Sequence, residues 1–323
     1  MKNIVLWDTA VATTNQGDAI IMEGVRDGLK SIFEGNYMVP FPTHTTPFSI
    51  FQTYFWWKAK WVQDADYRFI GGSNLFATNL RYPTNDLNIN LFNCKPLSNS
   101  VFCGVGNSTL NKKTNWYTQK IYKKILSKDF IHSLRDNEST AMLESYGFRG
   151  ITTGCPSLWQ ITREHCKDIP HEKSDMVVFT LTGAGQRDPQ RDQQMLDTLK
   201  KNYKKRYFWV QTIWDTDYLN TLSDIEDIEF VPPALDAYSN FLDNHDVDYV
   251  GTRLHGGIFA LQHKKRSIII TLDNRARNIN KINNIKVLER ENIDKLESLI
   301  KSSFKTDIIV DFEAINKWRN QFL

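Results

Sequence analysis

The feature that most constrains this chain is a repeated unit: a short apolar run, a polar or glycine-bearing loop, then residues with helical periodicity. Ile4-Val5-Leu6-Trp7, Tyr67-Arg68-Phe69-Ile70, Val101-Phe102-Cys103-Gly104-Val105 and Ile131-His132-Ser133-Leu134 read as buried strands. Helices are predicted over 18–30, with Asp18 as a plausible N-cap, and over 138–146, with Gly147 as its C-terminal cap. Residues 153–174 carry Pro156, Pro170 and mixed polar sequence, and read as a linker. The rhythm then restarts with strands at Met176–Leu181, Arg206–Val210, Ile228–Val231, Tyr249–Gly251 and Ser267–Leu272. Helical stretches near 190–203, 234–244, 255–263 and 293–303 separate them, and an amphipathic helix, Phe312–Trp318, ends the chain. Alternating strands and helices imply parallel sheets covered on both faces. Two such blocks predict an α/β protein of two doubly wound, Rossmann-like domains facing a cleft.

Composition narrows the function. A chain of 323 residues that is 41% hydrophobic and 24% charged can offset the entropy of ordering, which excludes disorder over most of its length. Forty basic residues against 37 acidic ones leave +3, so nothing favours a nucleic-acid partner. Cys94, Cys103, Cys155 and Cys166 form no C-x-x-C pair and read as reduced thiols. The apolar run Ile4–Trp7 is too short for a signal peptide, and no stretch approaches the roughly 20 apolar residues of a membrane span, so a cytoplasmic protein is expected. Asn107-Ser108-Thr109 and Asn137-Glu138-Ser139 match a glycosylation pattern that carries no weight without secretion. His and Cys residues never take zinc spacing, so no metal site is expected. Thr182-Gly183-Ala184-Gly185 lacks the full dinucleotide fingerprint.

Ligands of parallel sheets sit at the carboxyl ends of the strands, so the loops there hold the candidates. In Asn15-Gln16-Gly17-Asp18, Gly17 permits close backbone approach and Asp18 either presents a carboxylate or only caps a helix. In Gly71-Gly72-Ser73-Asn74, paired glycines allow a tight turn with free amides, or a plain turn. Arg135, in Ser133-Leu134-Arg135-Asp136, offers a planar donor fork to an anion or to a surface acid. Gly251-Thr252-Arg253-Leu254-His255-Gly256-Gly257 is the most specific: a fork, an imidazole, and Gly256 and Gly257 exposing amides at a helix N-terminus. Amides and helix dipole both favour negative charge there. The run Lys200 to Arg206 reads as a solvated helix end. For the aromatic stretch Phe48–Trp61, core packing is the simpler account; a sugar-stacking platform, or contact with a membrane surface through Lys58 and Lys60, are the alternatives.

Taken in order, these loops resemble the polysaccharide pyruvyl transferase family: Asn15-Gln16-Gly17-Asp18, Gly71-Gly72-Ser73-Asn74, Leu134-Arg135-Asp136 with Ser139, Thr153-Gly154-Cys155-Pro156 and Gly251–Gly256. Ser73 stands where the family often has a third Gly, and Cys155 where many members have Asp. The resemblance implies a fold of the glycosyltransferase B type. An acceptor-side domain would span 1–165, a donor-side domain 174–305, and a C-terminal helix in 306–323 would cross back to the first. It implies phosphoenolpyruvate as co-substrate, with no resident cofactor. The acceptor would be a glycan or a lipid-linked oligosaccharide, and the product a pyruvate ketal of a cell-surface polysaccharide. Arg253, His255 and Arg135 would hold the donor's phosphate and carboxylate. Leu254, Gly256, Gly257, Asn15, Gly17, Gly72 and Asn74 complete the substrate-binding set, and Asp18 or His255 would move the proton. A nucleotide-sugar glycosyltransferase of the same fold and a non-catalytic glycan- or phosphometabolite-binding protein are the competing readings.

Overall fold

A computed structural model describes residues 1–81, 86–107 and 113–323; Ser108 and Thr109 of the first glycosylation pattern lie outside them. Twelve strands occur among the described residues: β1 Asn3–Asp8, β2 Tyr37–Pro42, β3 Tyr67–Gly71, β4 Val101–Cys103, β5 His132–Leu134, β6 Gly150–Thr152, β7 Met176–Thr180, β8 Lys205–Trp209, β9 Ile228–Val231, β10 Val247–Gly251, β11 Ser267–Thr271 and β12 Val287–Glu289. Every ladder between them is parallel. The chain divides into two compact units. The first comprises Met1–Thr13, Ile21–Trp159 and Asp311–Leu323; the second comprises Thr14–Ile20 and Gln160–Val310.

The first unit carries a four-stranded sheet in the order β2-β1-β3-β4 and the pair β5-β6. A parallel bridge from Val105 to Leu134 continues β4 toward that pair. Ile4, Val5, Leu6 and Trp7 are all fully buried, as a central parallel strand covered on both faces must be. β2, Tyr-Met-Val-Pro-Phe-Pro, escapes a reading based on apolar runs because its two prolines cannot donate to a ladder; they also confine it to the sheet edge, where it lies. The C-terminal helix Phe312–Arg319 belongs to this unit. Its Trp318 is buried against Phe69, Trp159 and Phe322. Gln321 then bonds both the N–H and the C=O of Ile131, at 2.8 Å each.

The second unit holds a six-stranded sheet, β12-β11-β10-β7-β8-β9. Counted within the unit this is the doubly wound order 3-2-1-4-5-6, and the winding reverses between β7 and β10. Val177, Phe179, Phe208, Val250, Ile268 and Ile270 form its core with Leu196 and Leu199 of the helix Pro189–Asn202. The 293–303 helix resolves into a 3-10 segment, Arg290–Lys295, followed by Leu296–Lys301. The segment read as a linker contains ordered elements: a 3-10 turn at Pro156–Leu158 and a helix at Arg163–Lys167, which Thr162 caps by accepting from His165 N.

Candidate functional site

The loop after β10 is built around the backbone of residue 253. Arg253 N donates to Thr180 Oγ1 (3.2 Å), the Tyr249 hydroxyl donates to Arg253 O (2.6 Å), and the two hydroxyls lie 2.6 Å apart. The phenol's single proton goes to the carbonyl, so Thr180 gives its own proton to Tyr249. The result is a closed ring of hydrogen bonds that fixes the residue ahead of the helix Leu254–Gln262. Burial pushes the Tyr249 phenol up, which keeps it a donor.

The Arg253 guanidinium is largely engaged. Nε donates to Leu181 O (3.0 Å), and Nη2 donates to Thr212 Oγ1 (2.8 Å) and to the Asp215 carboxylate. Asp215 is fully buried and also accepts from Gly183 N (2.9 Å), Thr212 N (2.9 Å) and Thr212 Oγ1 (2.7 Å). The expectation of a fork open to an anion is therefore corrected: its charge is matched by a buried carboxylate, and Nη1 alone has no bond among the described residues. Arg253 acts first as the clasp that joins the ends of β7, β8 and β10.

The two glycines also serve differently from expectation. Gly257 N donates to Arg253 O (3.2 Å), so its amide is already in the helical ladder. The amides ahead of that first bond belong to Leu254, His255 and Gly256. A Cβ on Gly257 would lie 2.6 Å from Ile269 Cγ1 and 2.7 Å from Tyr249 Cε1; on Gly256 it would lie 3.1 Å from Gln211 Oε1. The helix rests directly on β10 and β11, and Gly257 is what lets it come that close.

Residues 14–20 complete the site from a distant part of the sequence. The helix begins at Gln16, with Asn15 before it: Asn15 Oδ1 accepts from Gly17 N (3.0 Å). Asp18 therefore lies in the first turn rather than at the cap, its amide donating to Asn15 O (3.1 Å). Asn15 Oδ1 also accepts from Gln211 Nε2 (2.9 Å), and Gln16 N donates to Gln211 O (3.0 Å). A Cβ on Gly17 would fall 2.9 Å from Gln211 Nε2 and 3.1 Å from Asn15 Oδ1, so a larger residue there would push these two side chains aside.

These pieces enclose a pocket of about 60 Å³ at the carboxyl ends of β7, β8, β10 and β11, astride the reversal of winding. Asn15, Thr182, Gln211, Thr252, Arg253 and His255 form its polar wall with Gln186 and Asp273, and Leu254, Ile270, Leu272 and Ala276 its apolar one. His255 is 9% exposed and faces this space, whereas Asp18 is not among the lining residues. Gln211 Oε1 is buried and has no hydrogen-bond partner. Gln211, Thr212, Asp215 and Tyr249 were not singled out from the sequence. Gln211 was within reach of its own logic, since it follows β8 where a ligand-facing loop is expected; the others act through partners tens of residues away.

The remaining candidates lie in the first unit and form a separate group. Gly72 (φ +58°) donates its amide to Cys103 O (2.8 Å), so that amide is not free, and a Cβ there would meet Ile21 Cγ2 at 2.1 Å. Ser73 follows with φ +56°, a left-handed conformation that glycine would adopt at no steric cost. Asn74 Oδ1 accepts from Arg135 Nη2 (2.6 Å), and the guanidinium is buried, with its Nε 3.6 Å from Asp136 Oδ2.

Comparison with known proteins agrees with this architecture. No curated protein matches the chain in sequence. Among solved structures, the UDP complex of Staphylococcus aureus MnaA aligns with a TM-score of 0.55 at 10% identity, over 100% of this chain and 98% of that one. The UDP-GlcNAc 2-epimerase of Methanocaldococcus jannaschii, in complex with UDP-GlcNAc and UDP, aligns with a TM-score of 0.52 at 9% identity, over 98% and 97%. At such identities the likeness establishes the fold: two Rossmann-like units of the glycosyltransferase B type. The model of one family matches residues 15–274, from the Asn15 loop through the helix Leu254–Gln262 and beyond, and the chain belongs to the polysaccharide pyruvyl transferase family.

Proposed function

We propose that the pocket at the head of the helix Leu254–Gln262 binds phosphoenolpyruvate. The protein then transfers the pyruvyl group to two hydroxyls of one sugar, on a glycan or its lipid-linked precursor, in cell-surface polysaccharide biosynthesis. The observation that carries this reading is the convergence, in about 60 Å³, of the helix's first residues, Leu254 and His255, with the remaining Arg253 donor. Such a helix terminus attracts phosphate or carboxylate. Leu254, Ile270 and Leu272 give the donor's methylene an apolar wall.

The chemistry needs no resident cofactor. A proton adds to the donor's methylene carbon and makes it a methyl group, leaving positive character on the neighbouring carbon. One sugar hydroxyl attacks that carbon and loses its proton. The second hydroxyl then displaces phosphate, which departs with the other proton, and the ring closes as a ketal. Two hydroxyl protons are thus accounted for, one on the methyl group and one on phosphate. We assign proton transfer to His255, which stands on the pocket wall, in preference to Asp18, and phosphate binding to the amides of Leu254 and His255 at the helix N-terminus. The buried acceptor Gln211 Oε1 suits a hydroxyl of the sugar acceptor entering the pocket.

The nucleotide-sugar reading has the fold behind it, because both solved relatives hold UDP. Thermal melts with phosphoenolpyruvate, UDP and UDP-sugars separate the two. A ligand at 100 times its Kd stabilises by about 2.7 kcal/mol. Phosphoenolpyruvate is expected to raise the melting temperature and, with an oligosaccharide acceptor, to release phosphate. Stabilisation by UDP-sugars alone overturns the proposal, and phosphoenolpyruvate binding without phosphate release from any acceptor reduces the protein to a binder.

A further inference from the structure

The stretch Phe48–Trp61 packs into the core only in part. Phe48, Ala59 and Val62 are buried and Trp56 and Trp61 partly so, but Phe51, Tyr54, Phe55 and Trp57 are 70, 54, 75 and 69% exposed. The helix Ile50–Phe55 is turned inside out. It buries Thr53, whose hydroxyl returns to Ser49 O (2.9 Å), and shows Ile50, Phe51, Tyr54 and Phe55 to solvent. This is a fixed face and not a fraying end: Ser49 Oγ accepts from Gln52 N (3.2 Å) while Gln52 Oε1 accepts from Ser49 N (2.9 Å), a complete capping box. The Phe51 and Phe55 rings pair at 4.9 Å on the outer side.

Cations frame this face. Lys58 Nζ lies over the rings of Trp56 (5.0 Å) and Trp57 (5.8 Å), and Lys95 Nζ lies over Tyr54 (5.9 Å). Between residues 48 and 63 stand Lys58 and Lys60 and no acidic residue. Beside the face is a recess of about 300 Å³, walled by Tyr37, Val39 and Phe41, alternate residues of β2, and by Trp57, Lys58 and Trp61. Its polar side-chain groups are the Tyr37 hydroxyl, the Lys58 ammonium and the indole N–H groups of Trp57 and Trp61.

We propose that this face docks on an anionic phospholipid bilayer. The exposed rings would sit at headgroup depth, the lysines on lipid phosphates, and an acyl chain in the recess. No helix among the described residues is long and apolar enough to cross a membrane, so the contact is interfacial. Outward aromatics flanked by lysines match the boundary between headgroups and chains, where amphipathic rings and long cationic stems both find their preferred surroundings. A second copy fits less well: a two-fold contact would set one lysine-framed face against its twin. A sugar fits less well too, because the recess has no carboxylate or carboxamide side chain to accept from its hydroxyls.

Vesicle flotation tests this, independently of pyruvyl transfer. The protein should float with phosphatidylcholine vesicles containing about 30 mol% phosphatidylglycerol, less with pure phosphatidylcholine, and less again at high salt. Phe55→Ser/Trp57→Ser should weaken flotation about tenfold, and Lys58→Glu/Lys60→Glu should remove the preference for anionic vesicles. Both variants should keep the circular dichroism spectrum and phosphate release with a water-soluble acceptor. Phe230→Ser, at an exposed aromatic of the second unit, should float as the parent does. Equal flotation on both vesicle types, no flotation at all, or parent-like flotation by Phe55→Ser/Trp57→Ser overturns the proposal. So does a concentration-dependent dimer that the same pair of substitutions abolishes.

Discussion

Arg135 and Arg253 occupy the same kind of place, just beyond a parallel strand and at the threshold of a helix, and the two units use them differently. In the first unit Arg135 is buried with the neutral Asn74 as its closest partner, packed where a Cβ on Gly106 would lie 2.3–2.6 Å from the guanidinium. Its neighbour Asp136 spends a carboxylate oxygen on Ser139 N (2.8 Å) as the cap of the helix Asn137–Glu144. In the second unit Arg253 pairs with a wholly buried carboxylate and still borders a pocket. The deciding partners stand 61 and 38 positions away in sequence. A strand-end arginine thus advertises a charge, and its remote partner determines how much of that charge is left for a ligand.

The strongest way to break this comparison is to separate chemistry from architecture inside the second unit. His255→Ala should lower phosphate release from phosphoenolpyruvate about 10²–10⁴-fold, the usual worth of a proton-transfer group, with a melting temperature near the parent's. Arg253→Ala should lose activity and stability together, because Asp215 remains buried with its cationic partner gone. Breaking a buried pair from one side costs about 3–5 kcal/mol, or a fall in melting temperature on the order of 10 °C for a unit of this size. The double variant Arg253→Ala/Asp215→Ala should recover part of that fall. An Arg253→Ala protein that melts with the parent would show that the clasp carries little of the stability.

Two histidines sharpen the contrast through pH. His255 borders the pocket, whereas His132, in β5, is fully buried and has both ring nitrogens engaged. His132 Nδ1 accepts from Phe102 N (3.1 Å), which leaves Nε2 to donate to Ser127 O (2.9 Å). A second proton on Nδ1 would face the Phe102 N–H. Burial, assisted by Arg149, brings the imidazole down to about 4 from its ordinary 6.5. The unfolded chain binds this proton more readily, so stability is fully present above about pH 6.5 and falls as the pH drops toward 4. A displacement of that size is worth on the order of 3 kcal/mol. Acid titration should therefore destabilise the protein through this window. His132→Gln should be less stable at neutral pH and should flatten the slope between pH 6.5 and 4; an unchanged slope would remove His132 from the account.

Much of this organisation is legible in the chain. β1, β3, β7 and β11 are apolar runs long enough to announce themselves, and the loop from Gly251 to Gly257 carries its residues consecutively. β2 is hidden by its two prolines, and β6 and β12 are only half-buried, so no apolar run marks them, whereas the equally short β4 and β5 are fully buried. The site was half visible for the same reason. Arg253 and His255 are local features, but Asp215, Tyr249 and Gln211 acquire meaning only when the sheet order sets β7, β8 and β10 side by side. The aromatic stretch shows the opposite failure: Phe51, Tyr54, Phe55 and Trp57 are plain to see, yet composition says nothing about which face of a short helix turns outward.

The finest test concerns two adjacent glycines that the sequence treats alike. At Gly257 an added methyl group would lie 2.6–2.8 Å from Ile269 and Tyr249, both fixed on strands beneath the helix. Gly257→Ala must push the helix off the sheet, at about 1–3 kcal/mol. At Gly256 the nearest atoms are Gln211 Oε1, Tyr249 Oη and Trp209 Cζ3, at 3.1–3.3 Å, and the first belongs to a side chain on the pocket wall. Small adjustments there are offset by the better helix propensity of alanine, so Gly256→Ala should stay within about 1 kcal/mol of the parent. Its cost should fall on the ligand instead, as weaker stabilisation by phosphoenolpyruvate in the same melt. Reversed outcomes, with Gly257→Ala stable and Gly256→Ala unfolding, would mean that the helix does not rest on the sheet through Gly257.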